Sequence, residues 1–307
     1  MILIFKILLP IFAIIFIGFY SGKKKFINKN ISKELGDLIM NISLPALLLT
    51  STSKIKAEVL FNAQVLLGFA ICLIIIYLAT YFIYRFSLKK NNRISALASL
   101  TTSQPNISFM GIIILLKLYG EESIVLIILS NLVVSFILMP LTLSLLDEKK
   151  NNKKTIKGIL VKIKKTILTP IVIGPILGII LSLFNITIFE ELDSILIYLG
   201  DIAPGLSLFT MGLTMSANKI IFNREILIQV LIKNIIAPGL MVFVALILNI
   251  GETIVGGLVI LASLPPASTS TMFSLKYNVY KTETSSAVLL GTVSSLITVG
   301  IFIIAYQ

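Results

Sequence analysis

Charge-free apolar blocks recur along the chain at residues 7–22, 38–53, 59–84, 94–116, 123–146, 167–189, 202–218, 234–251, 254–275 and 284–307, separated by short polar or charged runs. A helix rises 1.5 Å per residue, so about 20 residues cross a hydrocarbon core. Each block meets that length, alone or with its flanks. The pattern predicts ten transmembrane helices, at about 2–20, 35–53, 60–84, 95–118, 123–146, 168–184, 192–215, 226–250, 254–275 and 284–306. Strands of a membrane barrel would be half as long and would alternate polar with apolar residues. The first block reads as a retained helix rather than a signal peptide, because its basic cluster, Lys23, Lys24 and Lys25, follows the apolar run.

Composition agrees. Apolar residues make up 57% of the chain and charged residues 13%, about half the charged share of a soluble domain. Lipid has to be part of the solvent, so the fold class is an all-α integral membrane protein. Cys72 stands alone in the third block, which excludes a disulfide framework.

The net charge of +12 invites a nucleic-acid partner until the charges are located. Connections after odd-numbered spans hold 21 of the 26 Lys and Arg residues, and those after even-numbered spans hold 3. That asymmetry follows the positive-inside rule. It puts the odd connections in the cytoplasm and both termini outside a multi-pass cell-membrane protein. The longest connection, 147–166, carries eight lysines. It sets topology at a seam between two halves, or docks anionic lipid.

The halves repeat at an offset of 160 residues. Pro10 then meets Pro170, Gly18 meets Gly178, Ser103 meets Ser263, Pro105 meets Pro265 and Ser108 meets Ser268. Residues 1–146 and 167–307 each hold five predicted spans. An odd number turns the second copy upside down in the membrane, the inverted-repeat plan of many secondary transporters. The fourth and ninth spans are unusually polar at their centres. The fourth holds Thr101, Thr102, Ser103, Gln104, Pro105, Asn106 and Ser108; the ninth holds Ser263, Pro265, Pro266, Ser268, Thr269, Ser270 and Thr271. Proline removes an amide donor in mid-span. Backbone freed at that depth has to line protein or a wet cavity. Helices restarting after such breaks present free N–H groups and positive dipole ends, which suit an anion. Gln104, Pro105, Asn106, Ser108, Pro265, Pro266, Ser268 and Thr269 are the candidate substrate-binding residues.

The segments SQPNISFMGIIILLKLYG (103–120), LASLPPASTSTMFSLKYNVYKTETSSAVLLGTVSSLITVGIFI (261–303), NISLPALLL (41–49), DIAPGLSLFTMGL (201–213) and KNIIAPGL (233–240) resemble the auxin efflux carrier family. That family includes plant PIN carriers and bacterial permeases for dicarboxylates such as malonate or malate. The resemblance implies a scaffold of spans 1, 2, 6 and 7 and a mobile transport unit of spans 3–5 and 8–10. It also implies that spans 4 and 9 cross at their prolines beside a bound anion, with roles for Pro105, Asn106 and Pro265.

Ionisable residues inside a membrane mark function by default. Asp201 and Lys233 are candidates for coupling: Asp201 as a proton carrier, as the partner of Lys233, or as a carboxylate facing a wet vestibule. The crossing itself reads as neutral. Histidine is absent, which removes imidazole relays and histidine metal sites. No Walker-type loop and no nucleophile–base pair occurs, so neither ATP hydrolysis nor enzymatic activity is expected. The expected function is a cofactor-free secondary carrier of small carboxylates, working by alternating access and driven by a substrate, H+ or Na+ gradient. The expected partners are the anion, membrane lipid and a second copy in a homodimer, with no nucleic acid. Two alternatives stay open: a sodium- or proton-coupled exchanger of cations or bile acids with similar architecture, and a non-transporting sensor or scaffold.

Overall fold

A computed structural model describes residues 2–28, 31–54, 62–120, 123–146, 168–217 and 220–306. The basic connection 147–166 lies outside the described residues. The helices are α1 (Ile2–Lys23), α4 (Asn92–Ser103), α5 (107–119), α7 (Pro170–Leu183), α10 (Glu252–Ser263) and α11 (Ser268–Tyr277), with α2 (Ser32–Ser53), α3 (Ala63–Ser87), α6 (Val125–Leu146), α8 (Glu190–Ala217), α9 (Arg224–Ile247) and α12 (Lys281–Tyr306). No strand occurs among the described residues. Among the described residues, six helices, α2, α3, α6, α8, α9 and α12, are long and apolar enough to cross a membrane, and shorter apolar stretches of helix include Leu9–Lys23, Pro170–Leu183 and Ile254–Ser263. Large apolar side chains such as Phe16, Phe243, Leu246, Ile297 and Ile304 point outward, as they do where the solvent is lipid. The protein is an all-α, multi-pass membrane protein.

Proline shapes these helices in two ways. Three helices run through a proline by widening just before it. The π-helical turns Ile39–Ser43, Val134–Leu138 and Ile232–Ile236 each end two residues ahead of one, at Pro45, Pro140 and Pro238. A wider turn makes room for the ring and absorbs the missing amide bond. At Pro105 and at Pro265–Pro266 the chain leaves the helix altogether. Gln104 (ψ 109°) and Leu264 (ψ 149°) are extended, the conformation favoured for a residue preceding proline.

α1 packs along α8 and α7 along α2, and α8 also crosses α2. The first two contacts need glycine. A Cβ on Gly18 would lie 2.1 Å from the Phe209 carbonyl oxygen, and one on Gly178 would lie 2.6 Å from that of Leu49. Backbone therefore meets backbone along both pairs, the close approach that small residues permit in membranes. The remaining helices, α3–α6 and α9–α12, pack around the two breaks.

Candidate substrate site at the helix crossing

The two breaks run antiparallel through each other. Pro105 and Pro266 face one another as a bridge pair. The bonds are made by their neighbours: Asn106 N–H donates to Pro265 O at 3.0 Å, and Ala267 N–H donates to Gln104 O at 3.0 Å. This is the antiparallel register in which the facing pair exchanges no hydrogen bond. Both prolines thus occupy positions where an N–H would have nothing to do. Ile107 N–H folds back to Pro105 O at 2.9 Å, with Asn106 at φ −79°, ψ 61°, an inverse γ-turn that starts α5. The freed backbone is largely satisfied inside the crossing, and the helices restart from it at Ile107 and Ser268.

The side chains around the crossing are buried and have unused polar capacity. Gln104, Asn106, Ser268 and Thr269 are all buried. Gln104 Oε1, Asn106 Oδ1, Thr269 Oγ1, Ser270 Oγ and Thr271 Oγ1 have no hydrogen-bond partner among the described residues. Buried polar atoms are normally paired, so a cluster of exceptions asks for an explanation. A polar solute is one. Neither break has a side-chain cap at the start of the following helix, which leaves the first amides of α5 and α11 to other acceptors.

Two site residues are already engaged. Ser108 donates to Asn131 Oδ1 of α6 at 2.9 Å. Ser268 shares a 2.5 Å hydrogen bond with Ser207 of α8, which ties the second break to a helix of the α1–α8 pair. Pro265 and Pro266 are buried at the crossing, and α12 approaches closely there because Gly291 has no side chain. A Cβ on it would lie 2.6 Å from Pro266 Cδ.

Asp201 and Lys233 are not brought together. Asp201 is exposed on α8. Lys233 is fully buried, and its Nζ donates to the Ala262 carbonyl at 2.6 Å. An ionisable side chain thus stands beside the crossing, because Lys233 reaches the end of α10 just before Pro265. Asn131, Ser207, Asn234 and Gly291 were not singled out from the sequence. Their one shared signal was a polar or small residue within an apolar span. A cavity of about 490 Å³ lies elsewhere, bounded in part by Ser53, Lys54, Asn185 and Asp193. Its charged groups are committed to each other in the Lys54–Asp193 ion pair at 2.8 Å.

Residues 3–303 match the membrane transport protein family. The chain is similar to the uncharacterized transporter YfdV of Escherichia coli K12, at 25% identity over 96% of this chain and 95% of that protein. It is similar to the same extent to YfdV of Escherichia coli O157:H7 and of Shigella flexneri. A multi-pass helical protein matched over nearly its whole length, this chain belongs to the membrane transport protein family, that of the auxin efflux carriers.

Proposed function

We propose that the protein is a secondary carrier of small organic anions of the carboxylate class, with the anion held where α4–α5 and α10–α11 cross. The observation that carries this reading is the pairing of two broken helices through Pro105 and Pro266, surrounded by buried hydroxyl and amide groups without partners. Two helices then start from one place, and their positive ends and free amides suit a carboxylate.

On this reading α4–α5 and α10–α11 each make one span, and the chain crosses the membrane ten times as two inverted five-helix repeats. The glycine contacts support the repeat. Gly18 approaches Phe209 O and Gly178 approaches Leu49 O, and both partners of the second contact follow from the first at the offset of 160. A second pair obeys the same offset: a Cβ on Gly212 would meet Ile15 O, and Thr52 Oγ1 donates to Pro175 O. Helices α1, α2, α7 and α8 form the scaffold, and α3–α6 with α9–α12 move against it. The charge asymmetry puts both termini on the outer side of the cell membrane.

The exchanger reading is weaker because a lysine, not a carboxylate, reaches the crossing. The test is uptake into proteoliposomes of a panel of radiolabelled mono- and dicarboxylates, under imposed pH, sodium or voltage gradients. At least one carboxylate should accumulate inside. Oxidising a Ser207→Cys/Ser268→Cys variant should stop uptake, and reductant should restore it, because the cross-link ties the moving unit to the scaffold. Absence of carboxylate uptake under every gradient would refute the proposal, and full activity of the cross-linked form would refute alternating access.

A further inference from the structure

A helix that ends inside a membrane leaves carbonyl groups and the negative end of its dipole exposed. In transporters with interrupted helices such ends coordinate the coupling Na+ or H+. α10 ends in this way. In an unbroken helix the N–H of residue 266 would bond the carbonyl of Ala262, and Pro266 has no N–H to give. Lys233 Nζ donates to that same carbonyl at 2.6 Å. The lysine supplies the bond that the proline removes.

Three further observations bear on the role of its charge. Lys233 is 0% exposed. The ion pairs among the described residues are Lys54–Asp193 and Lys90–Glu225, so the Lys233 ammonium is answered by a helix end and not by an acid. The widened turn Ile232–Ile236 lets two consecutive polar side chains both point inward. Lys233 goes to α10, while Asn234 donates to Gly291 O and Ser294 Oγ of α12, both at 2.8 Å. The first repeat has no such cation, because the residue 160 positions before Lys233 is the apolar Leu73.

We propose that Lys233 is a tethered substitute for a coupling cation: its ammonium occupies the carbonyl end of α10, so that anion transport through the crossing proceeds without sodium. This rests on the carboxylate-carrier reading above. A mobile cation would have to be loaded and released in each cycle. The lysine instead stays with the crossing and offsets the charge of the anion.

The test compares wild type, Lys233→Arg, Lys233→Gln and Lys233→Ala in proteoliposomes containing choline, sodium or methylammonium salts, using a carboxylate that the wild type transports. Wild type should transport equally in choline and sodium, and Lys233→Arg, which keeps the charge, should lose less in choline than Lys233→Ala does. Lys233→Ala should lose about tenfold or more in choline, the scale of a hydrogen bond to a charged group, and should recover in sodium or methylammonium. Lys233→Gln keeps a donor without the charge and should be impaired in every medium. A sodium requirement in wild type would overturn the proposal. So would wild-type rates in Lys233→Gln, or a Lys233→Ala loss that no cation relieves. Melting temperatures of the purified proteins separate this claim from the carrier reading. If wild type takes up no carboxylate at all, the carrier reading fails. The lysine assignment then stands only if sodium or methylammonium raises the melting temperature of Lys233→Ala and leaves that of wild type unchanged. If Lys233→Ala does not fold in any of these salts, the assignment is judged on wild type and Lys233→Gln by the same criteria.

Discussion

Asn106→Ala is expected to lower carboxylate uptake by about tenfold or more, the worth of a hydrogen bond to a charged group, while leaving the melting temperature of the purified protein unchanged. The two readouts separate because of how Asn106 is held. Its structural bonds come from the backbone: the N–H donates to Pro265 O, and the carbonyl accepts from Met110 and Gly111. Alanine keeps all three. The side chain is 2% exposed, its oxygen has no partner, and it makes no cap to α5. A flip of this uncommitted amide exchanges its oxygen for its NH2, the donor that an anion accepts from. A large fall in melting temperature with uptake intact would mean that Asn106 serves the fold and not the solute. Asn106→Asp should be more damaging still, since a carboxylate there repels the substrate.

Gly18→Ala and Gly178→Ala should each destabilise the protein by about 1–3 kcal/mol, the usual cost of overpacking a rigid contact. In both cases the new methyl would run into backbone, which cannot rotate away as a side-chain tip could. Gly205→Ala and Gly239→Ala are the controls. They also sit in helices, but a Cβ at either would meet nothing within 4 Å, and alanine is the better helix former. The comparison is made by thermal unfolding of the four purified variants. Losses at Gly18 and Gly178 that match each other and exceed the controls fit two equivalent contacts in a repeated scaffold. A Gly178→Ala protein as stable as Gly205→Ala would remove that equivalence.

The long apolar helices were legible because a hydrocarbon core imposes a length on every crossing, and the sequence has to spell it out in apolar residues. Which prolines would break a helix was harder to read. Pro45, Pro140 and Pro238 also lie within apolar blocks, yet each follows a widened turn and leaves its helix continuous. What distinguishes Pro105 is a second extended segment, more than 150 residues away, that takes up the bonds of Gln104 and Asn106. Local sequence carries no trace of that partner, although the repeated register of Pro105 and Pro265 hinted at it. Gln104, Asn106 and Thr269 stood out as candidates because several polar residues adjoining a proline are rare in mid-span. The partner of Lys233 was not legible. Matching by residue type offers an acid such as Asp201, whereas the actual acceptor is the main-chain oxygen of Ala262. Ser207 and Asn131 were missed for a related reason, since one hydroxyl or amide in an apolar helix does not disclose which neighbour it will meet.

The claim that an anion binds at the crossing is tested most directly by substrate protection of a cysteine at position 269. Cys72, the one natural cysteine, is first changed to alanine and Thr269→Cys introduced, with Phe184→Cys at an exposed position as a separate control. The rate of modification by a small anionic methanethiosulfonate is then measured with and without a transported carboxylate. At ten times its dissociation constant the carboxylate should slow the reaction at position 269 by about tenfold, as simple occupancy requires, and should not affect position 184. An unchanged rate at position 269, with the carboxylate demonstrably transported by the same protein, would contradict the account.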